Sequence, residues 1–134
     1  MKFTAILLSL FVALTAAPCH ALSAQCQIYD GAEIIAEDGR FLGTIEDKSK
    51  LRSIFNEFGE YGGRYSLYSI WNKYGPYGDN LSMLSVNNPY TMTPPKIMRG
   101  TEIIGRLSRN TIFKDAQLAI DIGRECYDYF VMGT

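Results

Sequence analysis

Apolar residues recur along this chain in four different rhythms. The first is unbroken: from Phe3 to Ala17 the run FTAILLSLFVALTAA carries no charge and is mostly apolar. Lys2 precedes it, Pro18 ends it, and small residues follow. Its length fits the apolar region of a cleavable export signal and falls short of the roughly 20 residues of a membrane span. Cleavage after Ala21 or after Ala24 meets the peptidase's demand for small residues. An uncleaved anchor would need a longer run. Neither Cys19 nor Cys26 stands in the Leu-Ala-Gly/Ser-Cys pattern of a lipid-anchored chain. Residues 1–21 are therefore expected to be removed, leaving 22–134 as a single mature domain with no later membrane span.

The second rhythm is a hairpin. In EIIAEDGRFLGTIE, Asp38-Gly39 separates Ile34-Ile35 from Phe41-Leu42, and Asp-Gly between apolar stretches is a strong short hairpin signal. Strands are expected near 33–36 and 41–46. The rhythm returns after Thr93-Pro94-Pro95, which enforces extended backbone. In KIMRGTEIIGRLS a strand, a turn at Gly100 and a second strand follow one another. Ile103-Ile104-Gly105-Arg106-Leu107 echoes Phe41-Leu42-Gly43-Thr44-Ile45 at an offset of 62 residues. Two related hairpins paired into one small antiparallel sheet are the simplest reading.

Between them lies the third rhythm, a repeat over 53–90 with a period of 16 residues: SIFNEFGEYGGRYSLY, then SIWNKYGPYGDNLSML, then SVNNPY. Ser53, Ser69 and Ser85 correspond, as do Asn56, Asn72 and Asn88. Repeats of this size reuse one supersecondary unit, but two copies and a stub are too few to expect a solenoid. Asn caps its own backbone and Gly permits positive φ, so the unit reads as consecutive turns. Nine of the fifteen aromatics downstream of the signal fall in this stretch. With few aliphatics nearby, those rings are the expected packing material. The fourth rhythm, Ala116, Ala119, Ile120 and Gly123 within KDAQLAIDIGRE (114–125), is helical, with Asp115 suited to the first turn. The fold class expected is mainly β: a small antiparallel sheet, a turn-rich aromatic repeat loop and a short C-terminal helix.

The hairpins and the repeat together resemble a family of small exported bacterial proteins to which no activity is assigned. The matching features are Gly-x-Phe-Leu-Gly-x-Ile, the Ser-Ile-Phe/Trp-Asn-x-Tyr-Gly-x-Tyr-Gly units, Asn-Pro-Tyr, Pro-Pro and the second Ile-Gly-x-Leu. The resemblance spans about 33–110. It implies a periplasmic or secreted protein and supplies no catalytic residues.

Composition narrows the chemistry. The single His, His20, and the odd cysteine, Cys19, both lie in the signal. The mature chain then has no His, which removes Ser-His and Cys-His nucleophiles and the common zinc sites. Cys26 and Cys126 are an even pair in an oxidising compartment and are expected to form one disulfide. Removing Lys2 from 13 basic and 14 acidic residues leaves 12 and 14, a net of −2, which favours neither nucleic acid nor an anionic membrane as partner. No phosphate-binding or dinucleotide fingerprint occurs, and no cofactor is expected. The repeat Asn residues and Asp79-Asn80 are oxygen donors that calcium would accept, but the dense alternating Asp of known calcium loops is missing and turn capping explains them; no metal site is expected.

Exposed rigid aromatics bind rings or peptides at low entropic cost, so Tyr61, Tyr65, Trp71, Tyr74 and Tyr77 are the candidate binding residues. The functional expectation is an exported, disulfide-stapled binding or structural module rather than an enzyme, acting on a cell-envelope component or another exported protein. The alternative is a carboxylate-dependent hydrolase of envelope glycan, with Glu57, Glu60 and Asp79 as candidate acids.

Overall fold

The computed structural model describes residues 26–117 and 119–126; the expected signal segment lies outside them. After a helical turn at 26–29, five strands form one sheet: β1 (Ala32–Ile35), β2 (Phe41–Ile45), β3 (Lys96–Arg99), β4 (Glu102–Leu107) and β5 (Ala116–Gln117). A seven-residue helix, α1 (Ala119–Glu125), follows. The strand order is β2-β1-β3-β4-β5. The two hairpins pair antiparallel through β1 and β3, with Ile34 opposite Ile97. The molecule is mainly β, with two related hairpins in one sheet, as their shared pattern predicts.

The Asp38-Gly39 turn closes the first hairpin. Gly39 has φ +81°, and the Asp38 carboxylate accepts from the Arg40 amide at 3.0 Å. Each hairpin carries one register irregularity, beside Phe41-Leu42-Gly43 in one and Ile103-Ile104-Gly105 in the other. The sequence echo is therefore an echo of local geometry too.

Helix over 114–125 is corrected by the structure: α1 begins only at Ala119, and Ala116-Gln117 are strand. The outer edge of β4 offers unpaired amides, and pairing them outweighs the weak helical signal at these two residues. The Arg106 amide donates to Asp115 O and the Ser108 amide to Gln117 O, so β5 runs parallel to β4. The Asp115 carboxylate, instead of sitting in a first helical turn, takes the guanidinium of Arg106. Asp121 occupies the first turn of α1.

The repeat is a ladder of turns, and its hydrogen bonds explain its period. From Ser53 to Ser69 the carbonyl of one corner accepts from the amide of the next: Ser53 to Asn56, Asn56 to Gly59, Gly59 to Gly63, Gly63 to Ser66, Ser66 to Ser69. Four steps of three residues and one of four make the sixteen. At the Ser53, Ser69 and Ser85 corners and at every repeat Asn corner the side-chain oxygen also accepts from the amide two residues on. Asn56, Asn72 and Asn88 do so from Phe58, Tyr74 and Tyr90 at 3.1, 3.0 and 2.9 Å. Each Asn carboxamide then donates to a carbonyl six residues back, on Lys50, Ser66 and Ser82. One Asn thus satisfies two otherwise orphaned backbone groups.

The repeat glycines do not act as expected. None has positive φ. Gly62 and Gly78 are there for close approach: a Cβ on either would overlap the carbonyl of Asn56 or Asn72. The packing differs as well. Ile54, Ile70 and Val86, one per copy, are at most 2% exposed and form the interior with Ile34, Leu42, Ile45, Ile97 and Leu107. Of the nine repeat aromatics only Tyr77 is buried, while Phe58, Tyr65, Tyr74 and Tyr90 are exposed. Small aliphatics suffice because the turn corners bring backbone, rather than long side chains, to the centre.

Two anchors fix the ladder to the sheet. The Ile54 amide donates to Thr44 O and the Thr44 amide to Arg52 O, joining the first copy to β2. Tyr77 donates its hydroxyl to Asp38 at 2.9 Å, joining the second copy to the first hairpin turn. The Cys26–Cys126 disulfide forms as expected, across a sequence separation of 100 residues.

Candidate functional site

A cavity of about 750 Å³ opens between the turn ladder and α1. Its size falls in the range of about 300–1,000 Å³ typical of small-molecule sites. The ladder builds most of it, from corresponding positions of successive copies. Ile54 and Ile70 correspond, as do Phe55, Trp71 and Asn87, Glu57 and Lys73, and Arg64 and Asn80; all of these line the cavity. The Ser, Asn and Gly positions shared between copies hold the turns. Most lining positions are those at which the copies differ: Phe against Trp, Glu against Lys, Arg against Asn. A regular scaffold thus presents an irregular, asymmetric surface.

Trp71 is the fixed point of this cavity. Its amide donates to Ser69 Oγ at 3.1 Å, which sets the backbone, and its indole N–H donates to Ile54 O at 2.6 Å, which sets the ring. Gly123 of α1 lies against the same ring; an added Cβ there would stand 3.2 Å from Trp71 Cη2. The indole is held by one copy of the repeat, by the preceding copy and by the helix. Asn87 donates its carboxamide to Gly78 O at 2.8 Å. Arg64, Lys73 and Arg109 supply positive charge at the rim, and Glu57 is the one carboxylate in the lining among the described residues.

A second, smaller cavity of about 330 Å³ lies at the first hairpin turn, lined by Asp38, Gly39, Arg40, Phe41, Glu60, Tyr61 and Tyr68. Tyr61 meets Phe41 edge to face, centroids 5.0 Å apart, and Arg40 stacks over Tyr68 at 4.6 Å. Burial, followed by the Glu60 charge, raises the Tyr61 phenol above its ordinary range. Burial, followed by the hydrogen bond to Asp38, raises that of Tyr77. Both phenols therefore stay neutral further into alkaline pH than an ordinary tyrosine.

The five aromatics singled out from sequence do not converge. Trp71 lines the large cavity and Tyr61 the small one. Tyr65 and Tyr74 stand on the surface, and Tyr77 is buried with its hydroxyl committed to Asp38. The candidate acids are likewise separate. Glu57 borders the large cavity, Glu60 the small one, and Asp79 caps a turn, accepting from the amides of Leu81 and Ser82. The small cavity does hold two carboxylates, Asp38 and Glu60, but Asp38 already takes the Arg40 amide and the Tyr77 hydroxyl. Among the described residues no group of three or more ligand side chains gathers as a metal site would require. Sequence reasoning missed Arg64, Lys73, Arg109 and Asn87, and weighed Asn80 only as a cation donor. For those within the repeat the signal was present in the differences between aligned copies, which mark the face that is free to vary; Arg109 lies outside any copy and had no such signal.

No known family model, curated protein or solved structure matches this chain.

Proposed function

We propose that this chain is an exported, disulfide-stapled binding module of the cell envelope or the extracellular space. Its ligand enters the cavity between the turn ladder and α1. One observation carries this reading: a rigidly held indole lines an open cavity of ligand size, on an apolar floor of Ile54, Phe55 and Ile70 with polar groups at the rim. That combination is how small-molecule sites obtain both affinity and orientation. The Cys26–Cys126 bond supports an oxidising compartment. So do the apolar N-terminal run and the likeness of the repeat to small exported bacterial proteins.

Trp71 is the chain's single tryptophan, so its fluorescence reports on this cavity alone. Titration with a panel of monosaccharides, sugar acids and short peptides is expected to give a saturable change for at least one class. Asn80→Phe, a change at an exposed rim position, is expected to abolish it while leaving the melting temperature unchanged. A panel that leaves Trp71 emission unmoved throughout would overturn the reading. The hydrolase alternative requires turnover of envelope glycan that is lost in Glu57→Gln or Glu60→Gln.

A further inference from the structure

We infer that the ligand of the large cavity is an anion: a carboxylated or phosphorylated sugar, its charge held at the rim and its ring in the apolar interior. This rests on the cavity being a binding site, as proposed above, and on how the described arginines are spent. Arg52 pairs with Glu33, and Arg106 with Asp115. Arg99 donates to the carbonyls of Ile28 and Asp30. Arg40 stacks over Tyr68. Of the arginines whose side chains are described, Arg64 and Arg109 alone remain, and among the described residues neither makes an ion pair, a hydrogen bond or a ring contact. Both line the large cavity, and Lys73, likewise unpaired among those residues, joins them. Among the described residues three cations therefore line the cavity with one carboxylate, Glu57, in a chain whose overall charge is slightly negative.

Such a concentration of unspent positive charge at one concave place is what an anionic ligand rewards. Guanidinium groups present planar donor forks that match carboxylate and phosphate oxygens. A cleft with low-dielectric walls strengthens the attraction over that on an open surface. Asn80 and Asn87 add neutral hydrogen-bonding groups suited to hydroxyls, and Trp71 supplies an aromatic wall for a sugar ring. A bare inorganic anion would leave that apolar interior unused, and a neutral sugar would leave the arginines unused.

The test is titration of Trp71 fluorescence in the disulfide-bonded chain with glucuronate, glucose 6-phosphate, glucose and inorganic phosphate. Either acidic sugar, or both, is expected to bind at least tenfold more tightly than glucose or phosphate, and which of the two binds distinguishes carboxylate from phosphate recognition. Raised salt is expected to weaken that binding, and the double variant Arg64→Gln/Arg109→Gln to weaken it at least tenfold. Both positions are exposed, so the variant is expected to melt with the parent chain. Equal binding of glucose and the acids, insensitive to the double variant, would overturn the anion inference while leaving the cavity a binding site. Binding of phosphate as tight as that of the sugars would remove the sugar from the inference. No response to any sugar or anion would overturn the inference, and the wider panel above then decides whether the cavity binds at all.

Discussion

At the scale of single residues, identical letters in this chain do different physical work. Gly43 and Gly105 correspond in the two hairpins, yet only Gly43 has positive φ, at +113°. A Cβ at Gly43 would stand 2.8 Å from Tyr61 Cβ and 2.9 Å from Arg52 O. At Gly105 the nearest atom would be Ile97 Cδ1 at 3.5 Å, an ordinary contact. Gly43→Ala is expected to cost about 3 kcal/mol or more, since backbone strain and overpacking add. Gly105→Ala should fall within about 1 kcal/mol of the parent. Urea denaturation of the two variants checks this, and equal midpoints would show that the ladder does not press on β2 at Gly43.

At the scale of elements, α1 meets the ladder where Gly123 lies against Trp71, and it buries Ala119 and Ile122. Gly123→Val is expected to push the helix off the indole, shift Trp71 emission to the red and lower stability by about 1–3 kcal/mol; an unmoved spectrum would refute that contact. The same scale shows what was legible from sequence. Both hairpins were, because short apolar stretches flanking Asp-Gly or Gly turns encode them locally. The turn ladder was legible as turns, because Ser and Asn at fixed intervals have a local capping role. β5 was not, because what makes Ala116-Gln117 a strand is an open edge of β4 some ten residues away, and nothing in AQ itself announces it. Nor was the continuation of the turn grammar to Ser108 and Asn110. There Asn110 accepts from the Ile112 amide and donates to Thr91 O, outside any repeated copy. The cavity was legible only in part: Trp71 stood out by type, whereas Arg64 and Arg109 became notable only once the other arginines had found partners.

At the scale of the whole molecule, stability is tied to oxidation state and to alkaline pH. In the chain-entropy account, a loop of about 100 residues closed by one disulfide is worth at most roughly 4–5 kcal/mol. Reduction under native conditions is expected to lower the melting temperature by well over ten degrees, measured by circular dichroism; a negligible shift would mean that the sheet and ladder suffice without the bond. Tyr29, Tyr61 and Tyr77 all have phenols raised above the ordinary value of 10.0, chiefly by burial. Above that pH the unfolded chain releases protons that the folded chain keeps, so stability is fully present below about pH 10 and falls as pH rises beyond it. Melts on either side of that value should show the fall, and Tyr77→Phe should make it shallower.

The disulfide also decides how the molecule carries tension. Cys26 and Cys126 sit with their Cα atoms 5.5 Å apart, so the two sides of the described chain are held at one place. A pull between those two sides travels through a covalent bond and bypasses the turn ladder, the sheet and the cavity. Once reduced, the same hundred residues become a tether that extends by roughly 300 Å. Held from both sides, the oxidised domain is a rigid knot on a line, and its cavity keeps its shape under load.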